Sequence, residues 1–134
     1  EGDMVDMMVP IHHGMNATIS NQHSYAPDGY EMIKVPTFTL DSRMGVDFIK
    51  VDAEGAEDLI WAGSKQYRKD NPNTLWLMEW RWDRYAAPER FAREIFSDYN
   101  VWNVNVAGDE ERIPTPTMLG TKRHEDWMLV LRKK

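Results

Sequence analysis

The chain has 134 residues, of which 42% are hydrophobic and 28% are charged, so it can form one globular domain with its own core. Its formal net charge of −6 argues against non-specific nucleic-acid binding, which requires a basic surface that neutralises phosphates. Because there is no cysteine, the composition excludes disulfides, thiolate catalysis and cysteine-based zinc sites.

Residues 1 to 34 are the hardest part of the chain to assign to elements. Met4 to Ile11 predicts a strand, and Asn16 to Ser20 predicts a second strand that a polar loop follows. Met32 to Leu40 is rich in β-forming residues. Pro36 lacks the N–H that a ladder needs, so we do not expect this segment at the centre of a sheet.

Residues 35 to 134 carry the α/β core, which begins with a strand, a helix and a second strand. Val46 to Val51 is almost continuously apolar, which predicts a strand covered on both faces. Ala56 to Lys69 has apolar residues at helical spacing and predicts one helix. Leu75 to Met78 predicts a second buried strand that ends at Glu79.

The remaining elements continue this alternation. Pro88 can open a helix whose buried stripe runs from Phe91 to Tyr99. Residues 101 to 106 alternate between apolar and polar and predict a strand. Residues 107 to 121 are expected to form a loop, and Trp127 to Leu131 the last strand. This order predicts a single α/β domain with right-handed crossovers and a mostly parallel sheet.

Two acids, Asp52 and Glu54, follow the strand that ends at Val51. In open α/β sheets ligands bind outside the carboxyl ends of the strands, so these acids are candidates for ligand contact. The alternative is a structural role, since an acid near a helix start stabilises that helix. Lys50 lies on the same side of the strand as Asp52 and can neutralise it. Glu57 is better explained as a first-turn helix acid than as a ligand.

Glu79 lies beside Asp52 if the two strands are adjacent and parallel. Trp80, Arg81 and Trp82 follow it directly. They form either a packed loop or the wall of a substrate pocket, because aromatics with arginine suit a sugar, an aromatic acceptor or a carboxylate.

Histidines give a weaker signal. Adjacent residues of a strand point to opposite faces, so His12 and His13 are poorly placed to bind one metal ion. We assign no metal site, although Glu54 could share an ion with Asp52. His124, in the loop before the last strand, is a candidate substrate contact and a second-choice base.

Four segments occur in an order that resembles the FkbM-type family of S-adenosylmethionine-dependent methyltransferases. The family pattern has a "tLD" element, a "vDfIKiDvEGaE" core, a "Ga" at the end of the next helix and an acid that closes the next strand. The matching segments are Leu40-Asp41-Ser42, Val46 to Glu57, Ala62-Gly63 and Leu77-Met78-Glu79, and Trp127 to Val130 fits the closing strand.

The resemblance implies a partial Rossmann-like sheet, which is mostly parallel with an antiparallel terminal hairpin and has helices on its faces. The family's methyl-donor site lies mostly upstream, in a glycine-rich turn, and this chain has no G-x-G. We therefore expect residues 1 to 134 to be the carboxyl-terminal half of a methyltransferase domain. S-adenosylmethionine is the implied cofactor, but no residue here is assigned to it.

The implied reaction is methyl transfer to the hydroxyl of a small molecule or a sugar. The acceptor must lose a proton, and a positioned carboxylate can take it. Asp52 is the better candidate base because it closes its strand, and Glu54 can hold the substrate. A half-domain would leave the Val46–Val51 edge without a neighbour, so we expect residues 1 to 30 or a second copy to cover it.

Two rival functions stay open on the sequence. One is a non-catalytic binding or assembly module. The other is a two-carboxylate glycoside hydrolase, although the chain is short for the usual barrel of about 250 residues. No run approaches about 18 apolar residues. No basic-then-apolar leader opens the chain. We therefore expect a cytoplasmic protein with neither a membrane nor a nucleic-acid partner.

Overall fold

The computed structural model describes residues 3–11, 17–19 and 29–134, which form two sheets. The first sheet has the order β2-β1-β3 and is antiparallel, with β1 over Met4–Pro10, β2 over Thr18–Ile19 and β3 over Tyr30–Pro36. The strand predicted from Met4 is confirmed. Pro36 ends β3, which pairs only with β1 among the described strands, as the missing N–H predicts. Asn16, Ser20 and the pair His12-His13 lie outside the described residues.

The second sheet has five strands in the order β4-β5-β8-β6-β7. The strands are β4 Phe48–Val51, β5 Leu75–Trp80, β6 Tyr99–Val104, β7 Glu110–Ile113 and β8 Trp127–Lys133. The helices are α1 Glu57–Ala62, α2 Lys65–Asp70 and α3 Pro88–Asp98. Short 3-10 turns cover Leu40–Ser42, Trp82–Arg84 and Pro116–Gly120. No helix among the described residues is long and apolar enough to cross a membrane.

Strand directions in the second sheet confirm the α/β class but not a mostly parallel sheet. Only β4 and β5 form a parallel pair, and the other three pairs are antiparallel. The reason is that β8 returns between β5 and β6 and runs against both. Since β5 and β6 are both antiparallel to β8, β6 runs in the same direction as β4 and β5.

The helices cover one face of the five-stranded sheet. In β5, Trp76, Met78 and Trp80 are buried, whereas the residues between them are partly exposed. The buried set packs with residues of all three helices in one core. The prediction that the Val46–Val51 strand is covered on both faces is wrong for the described residues, since Phe48 and Lys50 are exposed in β4 while Val51 is buried.

The single helix predicted from Ala56 to Lys69 is broken after Gly63 into α1 and α2. The break is stabilised from elsewhere in the chain. Leu40 donates its N–H to the Gly63 carbonyl at 3.1 Å. The Asp41 carboxylate accepts the Tyr67 N–H at 2.7 Å and so satisfies a donor in the first turn of α2.

The loop predicted over residues 107 to 121 contains β7 and a 3-10 turn. The side chain of Asn105 accepts the N–H groups of Ala107 and Asp109, both at 2.9 Å, which folds the tight connection into β7. Arg132 of β8 donates to both carboxylate oxygens of Glu110, at 2.7 and 2.8 Å. Arg132 therefore offsets the negative charge of Glu110 at the acidic start of β7.

The outer edge of β4 pairs with no strand among the described residues. The first sheet lies near this edge, where the Thr18 hydroxyl donates to the main-chain carbonyl of Glu54 at 3.1 Å. Phe48 remains about half exposed. The described residues thus flank the edge without continuing the sheet.

The core on the helix side of the sheet predicts that truncating two methionines changes the free energy of unfolding by very different amounts. Met78 is 0% exposed in β5, whereas Met44 is 89% exposed. We expect Met78→Ala to lower the free energy of unfolding by about 2–5 kcal/mol, because it leaves a cavity in the core. The matched change Met44→Ala should alter it by less than about 0.5 kcal/mol. Urea denaturation measures both, and similar losses in the two variants would contradict this description of the core.

Candidate functional site

A tight turn after β4 carries two of the predicted site residues. Glu54 has φ 50° and Gly55 has φ 99°, so both lie in the left-handed region. The Glu57 side chain is 1% exposed, and its carboxylate accepts the Ala53 N–H at 2.8 Å and the Gly55 N–H at 3.1 Å. The Tyr85 hydroxyl also donates to this carboxylate at 3.1 Å.

These hydrogen bonds explain the conformation of the turn. A left-handed conformation costs a residue other than glycine about 1–2 kcal/mol, and Glu54 adopts it. The buried Glu57 carboxylate offsets that cost, since hydrogen bonds to a charged group are the stronger ones. Glu57 therefore holds the loop in place, and the sequence prediction of a simple first-turn helix acid understates its role.

The turn brings three carboxylates together. One oxygen from each of Asp52, Glu54 and Glu79 lies within 4.8 Å of the others. The cause is the parallel pairing of β4 with β5, which sets Val51 beside Met78 and hence the following residues side by side. The predicted proximity of Asp52 and Glu79 is confirmed. We call Asp52, Glu54 and Glu79 the acid cluster.

Two cations contact the acid cluster. Arg84 Nη1 donates to Glu79 Oε2, and Arg84 Nη2 lies 3.4 Å from Glu54 Oε2. The same Nη2 lies 3.5 Å from Asp126 Oδ1, so one guanidinium joins the turn after β4, the end of β5 and the loop before β8. Lys50 Nζ lies 2.8 Å from Asp52 Oδ2, which confirms the predicted neutralising pair. Sequence reasoning did not single out Arg84, although it stands beside the aromatic and basic residues that follow β5.

Electrostatics distinguish Glu79 within the acid cluster. Burial raises the pKa of the Glu79 carboxyl above its ordinary value. The Arg84 guanidinium lowers this pKa, and the charge of Asp52 raises it again. The hydrogen bond with Asp52, followed by its charge, raises the pKa of Lys50. Oxygen ligands of this kind suit hard divalent cations, but Arg84 and Lys50 already contact all three acids.

The other residues predicted to contact a substrate divide between the buried core and the accessible surface. Trp80 and Trp82 are buried, and the Trp80 ring packs 4.8 Å from the Tyr85 ring, so they belong to the core and not to a pocket wall. Arg81 and His124 lie outside the core: both contact Asp83, Arg81 Nε at 2.9 Å from Oδ1 and His124 Nδ1 at 2.7 Å from Oδ2. A sequence alone does not distinguish an aromatic residue of the core from one that lines a pocket, because both kinds of site favour large apolar side chains.

A cavity of about 980 Å³ lies between the first sheet, β4 and α1. Asp52 is the one member of the acid cluster among its lining residues. The paired Lys50 also lines it. The carboxylate at the end of β4 therefore connects the acid cluster with a space that can hold a ligand of drug-like size.

Comparison of the chain with protein-family models, with curated proteins and with solved structures finds no match. The chemistry of the site therefore carries the functional assignment. A carboxylate beside a cavity, held by a lysine and set in a rigid turn, can accept a proton or a hydrogen bond from a ligand.

The Glu57 carboxylate generates a prediction about stability. In Glu57→Gln an amide N–H₂ would face a backbone N–H, so we expect the free energy of unfolding to fall by about 2–3 kcal/mol. The matched change Glu89→Gln removes an exposed first-turn acid from α3 and should have little effect. Urea denaturation compares them, and equal stabilities would show that Glu57 does not hold the turn.

The pKa of Glu79 generates a second prediction. We expect its carboxyl to titrate above an ordinary glutamate in an NMR titration. Asp52→Asn should lower this pKa, whereas Arg84→Met should raise it. Because the folded chain binds this proton more tightly than the unfolded chain, stability should fall as pH rises from the ordinary to the raised pKa. A shift of the Glu79 pKa in the same direction in both variants would contradict the arrangement of charges.

Proposed function

We propose that this chain is part of an FkbM-like methyltransferase domain and that it acts on the hydroxyl of an acceptor molecule. The observation that carries the proposal is the position of Asp52. It closes a strand, belongs to the acid cluster and lines the cavity. The carboxyl end of a parallel strand pair is where α/β sheets bind their ligands.

Asp52 is assigned the role of general base. A hydroxyl that enters the cavity beside this carboxylate gives up its proton to it, and the acceptor oxygen becomes a stronger nucleophile. The Lys50 ammonium, 2.8 Å from Asp52, orients the carboxylate. S-adenosylmethionine, when bound, supplies the methyl group.

The described residues fit the acceptor side of this reaction. Asp52 supplies the acid for the proton, and the cavity supplies space for the acceptor. No glycine-rich turn for a nucleotide lines the cavity among the described residues. We therefore assign none of them to the methyl donor.

The remaining site residues are assigned supporting roles. Arg84 holds Glu54 and Glu79, so these acids fix the position of the loop after β5 relative to the turn after β4. Arg81 and His124 do not line the cavity, and they stay candidates for contact only with a part of the acceptor that extends outside it, because their side chains are accessible.

An assembly module is the second candidate, and the charge balance of the acid cluster favours it. Arg84 and Lys50 offset the acids, as a purely structural network does. In this case the outer edge of β4 pairs with a second copy of the chain, because an unpaired apolar edge is a template for another strand.

Removal of the Asp52 carboxylate separates the two candidates. In the natural full-length protein, Asp52→Asn should lower kcat for methyl transfer by about 10²–10⁴-fold while donor affinity changes little, since a positioned base contributes this much. Transfer of labelled methyl from S-adenosylmethionine to a panel of hydroxyl compounds measures kcat. The control Asp47→Asn alters an exposed acid at the opposite end of β4. Equal turnover in both variants would remove Asp52 from the mechanism, and no transfer by the natural protein would favour the assembly module.

A further inference from the structure

The walls of the cavity beside Asp52 are largely apolar. Side chains from the first sheet, from the segment after β3, from β4 and from α1 converge on it. Its apolar lining includes Val5, Met7, Ile19, Phe38, Ile49 and Leu59. Burial of apolar surface against such walls favours a ligand with an apolar body.

Two of the hydroxyl groups that line the cavity are already used as donors. The Thr18 hydroxyl donates to the Glu54 carbonyl at 3.1 Å. The Thr37 hydroxyl donates to the Asp3 carbonyl at 2.7 Å. These hydrogen bonds connect elements of the fold, so a ligand would have to break them to gain the donors.

The charged residues of the lining are Asp3 and the pair Lys50–Asp52, and the pair is the one that belongs to the acid cluster end of the cavity. A ligand with a single hydroxyl can place that group beside Asp52 and its apolar part against the other walls. A sugar would bury several hydroxyls against apolar side chains, and each one left without a partner weakens binding by about tenfold or more.

From the largely apolar walls and the Lys50–Asp52 pair beside them, we propose that the cavity binds a compound with an apolar body of one or two rings and one hydroxyl group, rather than a sugar. The inference rests on the proposed function, since it makes this compound the methyl acceptor. Methyl transfer alone allows either a small-molecule hydroxyl or a sugar hydroxyl as the acceptor, and this inference selects the small molecule.

The test is calorimetric titration of the chain with three probes: 1-naphthol, naphthalene and methyl β-D-glucopyranoside. We expect 1-naphthol to bind more tightly than naphthalene and the glucoside not to bind. Asp52→Ala should bring the affinity for 1-naphthol down to that for naphthalene, because the hydroxyl loses its partner. Tighter binding of the glucoside than of 1-naphthol would overturn the inference.

A second variant tests the location. Leu59 is partly exposed on α1 and lines the cavity, so Leu59→Asp places a charge in the apolar wall without emptying the core. It should weaken 1-naphthol binding by about tenfold or more. Val106→Asp makes a comparable change at a fully exposed residue that does not line the cavity, and it should leave binding unchanged. Unchanged binding in Leu59→Asp, with folding verified by circular dichroism, would place the ligand elsewhere.

An assay of methyl transfer distinguishes failure of this inference from failure of the proposed function. If 1-naphthol binds as described but the natural full-length protein transfers no labelled methyl group to it or to other hydroxyl compounds, the proposed function fails and the ligand class of the cavity stands. If the protein methylates only sugar hydroxyls, the proposed function stands and the inference about the cavity is overturned.

Discussion

The buried carboxylate of Glu57 is the interaction on which the site depends. It accepts N–H groups from Ala53 and Gly55 and the hydroxyl of Tyr85, so it joins the turn after β4 to the segment after β5. Without these partners a buried charge would be strongly unfavourable, and without the charge the left-handed Glu54 would lose its support. The turn and the carboxylate therefore stabilise each other, and Asp52 takes its position from both.

Two sets of ion pairs lie around this turn, and they differ in how far solvent reaches them. Arg84 contacts Glu79, Glu54 and Asp126 with a side chain that is only 16% exposed, so solvent screens these contacts less than it screens surface pairs. The Lys50–Asp52 pair is far more accessible and contributes little to stability. The accessible pair faces the cavity while the shielded network holds the loops, and this division suits a site that needs one reactive carboxylate on a rigid support.

Much of the fold follows from local patterns, because an apolar run, a turn and a helical spacing are all encoded within a few residues. The same patterns placed Glu79 beside Asp52, since adjacent parallel strands end at one edge. The helix break at Gly63 could not be predicted in this way. It depends on a hydrogen bond from Leu40, which is distant in sequence. The role of Arg84 could not be predicted for the same reason, because its partners come from three separate parts of the chain.

The position of the first sheet determines what the acid cluster can do. Asp52 is an accessible acid at a strand end, with a side chain that is 36% exposed, and water weakens any interaction that it makes with a ligand until the ligand displaces that water. Thr18 ties this sheet to the Glu54 carbonyl, and the cavity forms between the two layers. Its apolar walls lie beside this accessible carboxylate, so a ligand that fills the cavity would itself displace water from that side of Asp52. The chemistry of Asp52 therefore depends on residues that the helical core does not include.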